Sequence, residues 1–442
     1  MTGFDAHPEK ELHIAPMLDV SYREFRYFMR LLTKRAILWT EMIVDETLVY
    51  SQDPQQHVFF EPSIEPPVIC QLGGCQPQHA LVAVQVMKGY DEINLNMECP
   101  SNRVAGKRGF GAALMKDLDL AVQMLHSMKE GAPEKIISVK TRIGVDHKEG
   151  WEFLESMILR LREVCSRFYI HARKVYPKGL KSARQNRRIP PLNYIHVYRL
   201  CERFPDCDFY VNGGIDSLVK AKQICYGAQE LKEESDRWWC MDGKHHQSIP
   251  CDVCQAPFGS CIAAPLRTPP NLRGCMMGRA AMDEPALFGN ADVSFFNESQ
   301  NPSKSRREVI EKYSSYLEKR FPRRCCDSDD RVTNYGQPIP EVVFESAICD
   351  ICSLSDDDFW RYVANSHCGD LKITSRLIDR CLKPTLGLFS GLPGARQWRR
   401  DLTVLSRHAG VRNCGPSHML KRCMARADPL HLDLEFGSEI DC

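Results

Sequence analysis

At 442 residues the chain has the length of two or three domains of roughly 150 residues each, ample for a large core without disulfide or metal staples. Hydrophobic residues make up 43% and charged residues 26%, with a net charge of +1. These are ordinary globular values, and no run approaches the roughly 18 apolar residues of a membrane span. A mini-protein and a membrane-spanning protein are excluded, and so is general adhesion to polyanions through bulk charge.

The N-terminus, MTGFDAHPEKELHIAPML, has neither the charged-then-apolar pattern of a signal peptide nor the Arg/Ser-rich composition of a transit peptide, so a cytoplasmic location is expected. From there, short apolar runs alternate with helical periodicity. The runs are 13–18 (HIAPML), 36–43 (AILWTEMI), 67–72 (PVICQL), 92–97 (EINLNM), 137–143 (ISVKTRI), 168–172 (FYIHA), 208–211 with its trailing NGG, and 274–278 (GCMMG). Segments 80–87, 118–128, 151–164 and 194–204 between them carry apolar residues near i, i+3, i+4, as crossover helices do. Eight β/α units predict an α/β TIM barrel over 1–295. A doubly wound open sheet is the alternative, since periodicity does not show closure.

Residues 231–270, rich in Cys and Pro, interrupt the last unit as an insertion. Beyond residue 303 the pattern is helical, at 305–320, 374–386 and 395–405, with an irregular stretch at 325–370 and an end expected to fray over its last dozen residues. This predicts a smaller all-helical domain over 303–442. The 21 cysteines sit mostly singly in apolar segments, as Cys70, Cys165 and Cys201 do, which reads as packing of free thiols. In the insertion, Cys240, Cys251, Cys254 and Cys261 have the ingredients of a zinc knuckle, with outer spacings that fit no standard finger.

Catalytic groups of a TIM barrel lie at the C-terminal ends of its strands. Met17, Gln71, Asn96, Lys140, Arg142, His171, Arg173, Asn212 and Arg279 all fall there. Asn212-Gly213-Gly214 and Gly278-Arg279 end the seventh and eighth strands, where barrels bind phosphate through backbone N–H groups. Cys99 follows the fourth strand, and Pro100 forces the chain out of the sheet there. Its thiol is placed to act as nucleophile, metal ligand or neutral acid, although no second cysteine stands at ligand spacing. Residues 173–188 hold seven Lys/Arg and no acid, and 396–426 hold eight against Asp401 alone. Such patches on a neutral chain predict local polyanion sites.

These residues resemble one family, the flavin-dependent tRNA-dihydrouridine synthases, and within it the A-type subgroup acting at positions 20 and 20a. The matching stretches are APMLDVS at 15–21, QLGG at 71–74, EINLNMECPS at 92–101, VKTRIG at 139–144, the long HARKVYPKGLKSARQNRRIPPLNY at 171–194, VNGGI at 211–215, MMGRAAMDEP at 276–285 and GLFSGLPGARQWRR at 387–400. The resemblance implies FMN in the barrel mouth, with its ring against Pro16 and Met17, Gln71 on a polar edge, and Lys140 and His171 beside it. Its phosphate is expected on Asn212, Gly213, Gly214, Gly278 and Arg279. It further implies NADPH as reductant and Cys99 as the acid that protonates C5 of an extruded uridine, with Asn96, Arg142 and Arg173 as contacts for the base.

The basic residues Lys174, Lys178, Lys181, Arg184 and Arg187 are then expected on the tRNA backbone, with Arg396, Arg399 and Arg400 gripping a second part. A monomer with no membrane partner is expected. The chain departs from the family at Glu98, where a glycine is common. A small-molecule FMN oxidoreductase of the dihydroorotate dehydrogenase type is the rival reading, but it has no need of the basic run or the C-terminal domain. A tRNA-binding relative that has lost catalysis is a second rival, hinted at by Glu98.

Overall fold

The computed structural model describes residues 9–101, 104–105, 109–177, 185–227, 238–240, 263–265, 268–321, 354–365, 375–408 and 415–438. The chain divides into two compact units, Met1–Arg26 with Arg35–Ala280 and Tyr27–Lys34 with Ala281–Cys442.

The first unit is a TIM barrel. Its strands are β1 (Glu11–Ile14), β2 (Leu38–Val44), β3 (Val68–Gly73), β4 (Glu92–Asn96), β5 (Ile136–Arg142), β6 (Arg167–His171) and β7 (Asp208–Asn212), followed by β8 (Trp238–Cys240), β9 (Ala263–Pro265) and β10 (Leu272–Met277). Eight of them form one parallel sheet in the order β1-β10-β7-β6-β5-β4-β3-β2. Closure, which periodicity leaves open, comes from a parallel bridge between His13 and Ile37. Ile14 N donates to Ile37 O at 2.9 Å and Ile37 N to Leu12 O at 2.8 Å. The remaining strands, β8 and β9, pair antiparallel within the insertion.

The first strand lies earlier than expected, because Pro16 has no N–H with which to continue the ladder. Ala15 N makes the last rung, to Met277 O at 2.7 Å, and the chain then turns. The eighth begins two residues earlier than its apolar run. There Gly274 passes so close to β1 that a Cβ would lie 2.0 Å from Glu11 O. Every residue of β3 and β4 is buried, as parallel strands covered on both faces require. Aromatic rings pack the cluster of Trp39, Tyr169, Tyr210 and Met276; Tyr169 and Tyr210 stack with centroids 4.4 Å apart.

The second unit is helical. Helix Arg306–Arg320 buries Val309, Ile310, Tyr313 and Leu317, Tyr313 Oη donates to Cys381 O at 2.8 Å, and Tyr27 stacks on Tyr316 at 3.6 Å. Helix Ser375–Leu382 stops short of residue 386 and tightens into a 3-10 turn at Lys383–Thr385, because Pro384 lacks the N–H an α-helix needs. Two further expectations need correction. Asp356–Asn365, inside the stretch read as irregular, is helical; Gly415–Ala425 adds a helix within the region expected to be helical. The chain end does not fray through its last dozen residues: Ser305 bridges Glu435, Phe436 N donates to Lys304 O at 3.0 Å, and the Phe436 ring is buried. Residues 439–442 are outside the described set.

Candidate active site

Parallel register sets the rim of the barrel. Asn96 of β4 pairs with Lys140 of β5, Arg142 of β5 with His171 of β6, and His171 with Asn212 of β7. Side chains two apart on a strand share a face. A row of hydrogen bonds follows from this inside the barrel. Asn96 Nδ2 donates to Gln71 Oε1 at 3.0 Å, Gln71 Nε2 to Asn94 Oδ1 at 2.9 Å, Asn94 Nδ2 to Ser138 Oγ at 2.8 Å and Ser138 Oγ to Glu92 Oε1 at 2.6 Å. Glu92 also accepts from Tyr169 Oη at 2.9 Å and Arg167 at 2.6 Å.

The upper end of this row shapes the thiol's turn. Asn96 Oδ1 accepts from Cys99 N at 3.0 Å and from Glu98 N at 3.2 Å. Cys99 O in turn accepts from Ala112 N at 3.1 Å, and Gly111, at φ +63°, lies where a Cβ would be 2.8 Å from that carbonyl. Among the described residues Asn96 thus has its oxygen filled and one amide hydrogen to spare. Gln71 retains one hydrogen and one lone pair.

Charge concentrates beside the turn. Lys140 Nζ bonds Glu98 Oε1, and it donates to Asn212 Oδ1 at 3.2 Å; Asn212 Nδ2 donates to Met276 O at 2.8 Å. Glu98 Oε2 lies 3.3 Å from His171 Nδ1. Burial opposes ionisation of Glu98, but Lys140, His171 and Arg142 together hold its carboxyl far below the usual range. Burial raises the Cys99 thiol against a backbone hydrogen bond from Ser101; Glu98 pushes it further up, while Arg142 and Lys140 pull it down, and the net shift is upward, so at neutral pH it carries its proton. Burial lowers Lys140 and lowers Arg142 to about 10.

Burial, with Arg142 adding repulsion, lowers His171 from 6.5 to about 3. The unfolded imidazole therefore takes a proton below about pH 6.5 while the folded one stays neutral. Stability is full above that pH and is expected to fall, by up to about 1.4 kcal/mol per pH unit, as pH drops toward 3. Chemical denaturation between pH 7 and pH 5 measures the slope. In His171→Gln, which cannot titrate, it should flatten; an unchanged slope would assign the acid sensitivity elsewhere.

Gly213 and Gly214 follow β7 at φ +112° and +69°. A Cβ on Gly213 would meet His171 Cδ2 at 2.7 Å, and one on Gly214 would meet Leu192 Cδ1 at 2.4 Å. Tyr194 Oη donates to Gly213 O. At Gly278 a Cβ would touch only Ala15, at 3.6 Å. Pro16, Met17 and Arg279 are half-buried, and Met17 N donates to Ser21 Oγ at 3.0 Å.

The basic loop is tied to the rim. Arg142 donates to Asn186 O at 2.9 Å, while Asn186 closes the loop through Tyr176 N and O at 2.8 and 2.9 Å. Arg173 bonds Pro190 O, and the Nε atoms of Arg142 and Arg173 are buried with no partner among the described residues. Lys174 pairs with Glu149 at 2.5 Å and Arg187 is exposed; Lys178, Lys181 and Arg184 are outside the described residues. Asn186, Ser138 and Glu92 had no sequence signal beyond being polar residues in a loop or a buried strand. In the second unit Arg396, Arg399 and Arg400 are exposed on helix Ala395–Arg407, and Arg399 bonds Leu386 O at 3.2 Å and Ser390 Oγ at 2.7 Å. Of the zinc candidates, Cys251, Cys254 and Cys261 are outside the described residues, as is the Cys240 side chain.

A closed α/β barrel that gathers Glu98, Cys99, Lys140, Arg142 and His171 at its C-terminal rim has the layout of a barrel enzyme. A family model described as Dihydrouridine synthase (Dus) matches residues 13–229. The chain is 31% identical to the tRNA-dihydrouridine(20/20a) synthase of Vibrio vulnificus, over 89% of this chain and 90% of that protein. It is 36% identical to that of Synechocystis sp., over 74% and 85%, and 35% identical to that of Pasteurella multocida, over 90% and 91%. The chain belongs to the dihydrouridine synthase family. No helix among the described residues is long and apolar enough to cross a membrane.

Proposed function

We propose that this chain reduces uridine to 5,6-dihydrouridine at positions 20 and 20a in the tRNA D-loop, as a cytoplasmic monomer using FMN and NADPH. The relatives' names supply the substrate. The observation that carries the chemistry is the placement of Cys99, in a turn held by Asn96 at the end of β4 beside the Lys140–Glu98–His171 cluster; burial favours the protonated form of its thiol.

The residues present fit a phosphorylated ring cofactor. A backbone cradle in which side chains would collide, Gly213-Gly214, and the open space at Gly278 suit a phosphate, with Asn212 and Arg279 beside them. Pro16 and Met17 would take the ring's face, and Gln71, Lys140 and His171 its polar edges. When bound there and reduced by NADPH, FMN would supply hydride chemistry toward C6 of the uracil.

Cys99 holds the proton for C5, and the Asn96 bonds keep its turn in place while the base is bound. Arg142 and Arg173, whose buried Nε atoms have no partner among the described residues, and the spare Asn96 hydrogen are donors for the uracil's polar edge. Lys174, Lys178, Lys181, Arg184 and Arg187 hold the tRNA backbone, and Arg396, Arg399 and Arg400 hold it elsewhere.

Incubating the protein with unmodified tRNA and NADPH, then mapping dihydrouridine, tests the reading. Bound flavin without any tRNA product would favour the small-molecule oxidoreductase instead. The backbone contacts predict a salt signature as well: Lys178, Lys181 and Arg184 replaced together by alanine should weaken tRNA binding and flatten the log–log salt slope by about 2–3. An unaltered slope in filter binding would remove the loop from the interface.

A further inference from the structure

Glu98 lies largely out of solvent where a cofactor's electron-rich edge would be received, and it already holds two of the three residues assigned to the ring's edges, Lys140 and His171. Its Oε1 bonds Lys140 Nζ and its Oε2 lies 3.3 Å from His171 Nδ1. The side chains of Lys140 and Glu98 are 2% and 15% exposed, so water screens their attraction poorly. Inside the protein, the lysine's charge is already neutralised.

We propose that Glu98 is a built-in competitor for the flavin-ring site: its carboxylate occupies the Lys140–His171 corner, and it disfavours a negatively charged reduced ring more than a neutral oxidised one. This rests on the cofactor reading above. Two anions facing one ammonium in a closed space repel each other, and the penalty grows with the charge on the incoming edge. The residue acts through Lys140, so it is a positioning residue. Its backbone N–H is pinned by Asn96 Oδ1 together with that of Cys99, which lets the carboxylate rotate away while the thiol's turn stays fixed. Glu98 thereby sets affinity and potential separately from proton delivery.

The test uses the full chain stripped of flavin and titrated with FMN by fluorescence quenching, followed by measurement of the bound flavin's midpoint potential. E98Q is expected to bind FMN about tenfold more tightly or better and to raise the potential. E98A should shift both in the same direction, which covers the case in which the glutamine amide re-forms the lysine contact. Circular dichroism establishes that each variant is folded. Wild-type affinity and potential in both E98Q and E98A would overturn the proposal and leave the cofactor reading standing. If neither the wild type nor any variant bound FMN, the cofactor reading would fall and this inference with it.

Discussion

Replacing Cys99 by alanine is expected to lower dihydrouridine formation by about 10²–10⁴-fold, the usual contribution of a positioned general acid, with FMN content and NADPH-driven flavin reduction retained. The expectation follows from where the thiol's proton resides. Burial and Glu98 keep it on sulfur at neutral pH, the state an acid requires and a nucleophile does not. Alanine removes the proton donor, whereas the turn's bonds are made by backbone atoms, Cys99 N to Asn96 Oδ1 and Ala112 N to Cys99 O. Cofactor retention should therefore survive. Product yield equal to wild type in single-turnover assays would remove Cys99 from the mechanism; loss of flavin would give it a structural role instead.

Lys140→Met should cost about 3–5 kcal/mol of stability, because it strips the partner from a buried carboxylate. Glu98 depends on that ammonium: Lys140 heads the attractions that outweigh burial and hold its carboxyl ionised, and Arg142 is the weakest of them, while His171 is kept neutral. Removing both charges, in Lys140→Met with Glu98→Gln, should recover most of the loss, since two absent charges leave neither to be desolvated. Urea denaturation of the two single variants and the double variant gives the coupling directly. Additive losses in the double variant would mean the pair does not act as a unit.

The barrel was largely legible in the sequence because its strands are buried on both faces and read as apolar runs, with turn residues and amphipathic helices between them. Boundaries were less so. Pro16 lies inside the apolar run HIAPML, and an apolar pattern alone does not reveal that the last rung is made by Ala15. The helix Gly415–Ala425 opens with Gly-Pro and mixes His, Lys and Arg with its apolar residues, so its periodicity is faint.

Within the site, residue type was legible and partnership was not. Glu98 stood out as a carboxylate beside the proposed acid, but that it would be bound by Lys140 and His171 depends on three strand ends meeting in space. Asn96 read as a contact for a base; its amide is largely committed to Gln71 and to the Cys99 turn. Nothing in the run of residues from 173 to 188 distinguished Asn186 as the clasp of the loop, because one partner, Tyr176, is ten residues away along the run and the other, Arg142, lies on a different strand.

The row of hydrogen bonds from Cys99 N through Asn96, Gln71, Asn94 and Ser138 to Glu92 has every donor facing the same way. Each link polarises the next, and any interior member replaced by an apolar residue strands a donor on one side and an acceptor on the other, at about 1–3 kcal/mol apiece. Adjacent links can therefore be traded only together. The barrel's floor is thus tied to the workings of its rim, and a lineage carrying this row can change its interior only by compensated steps.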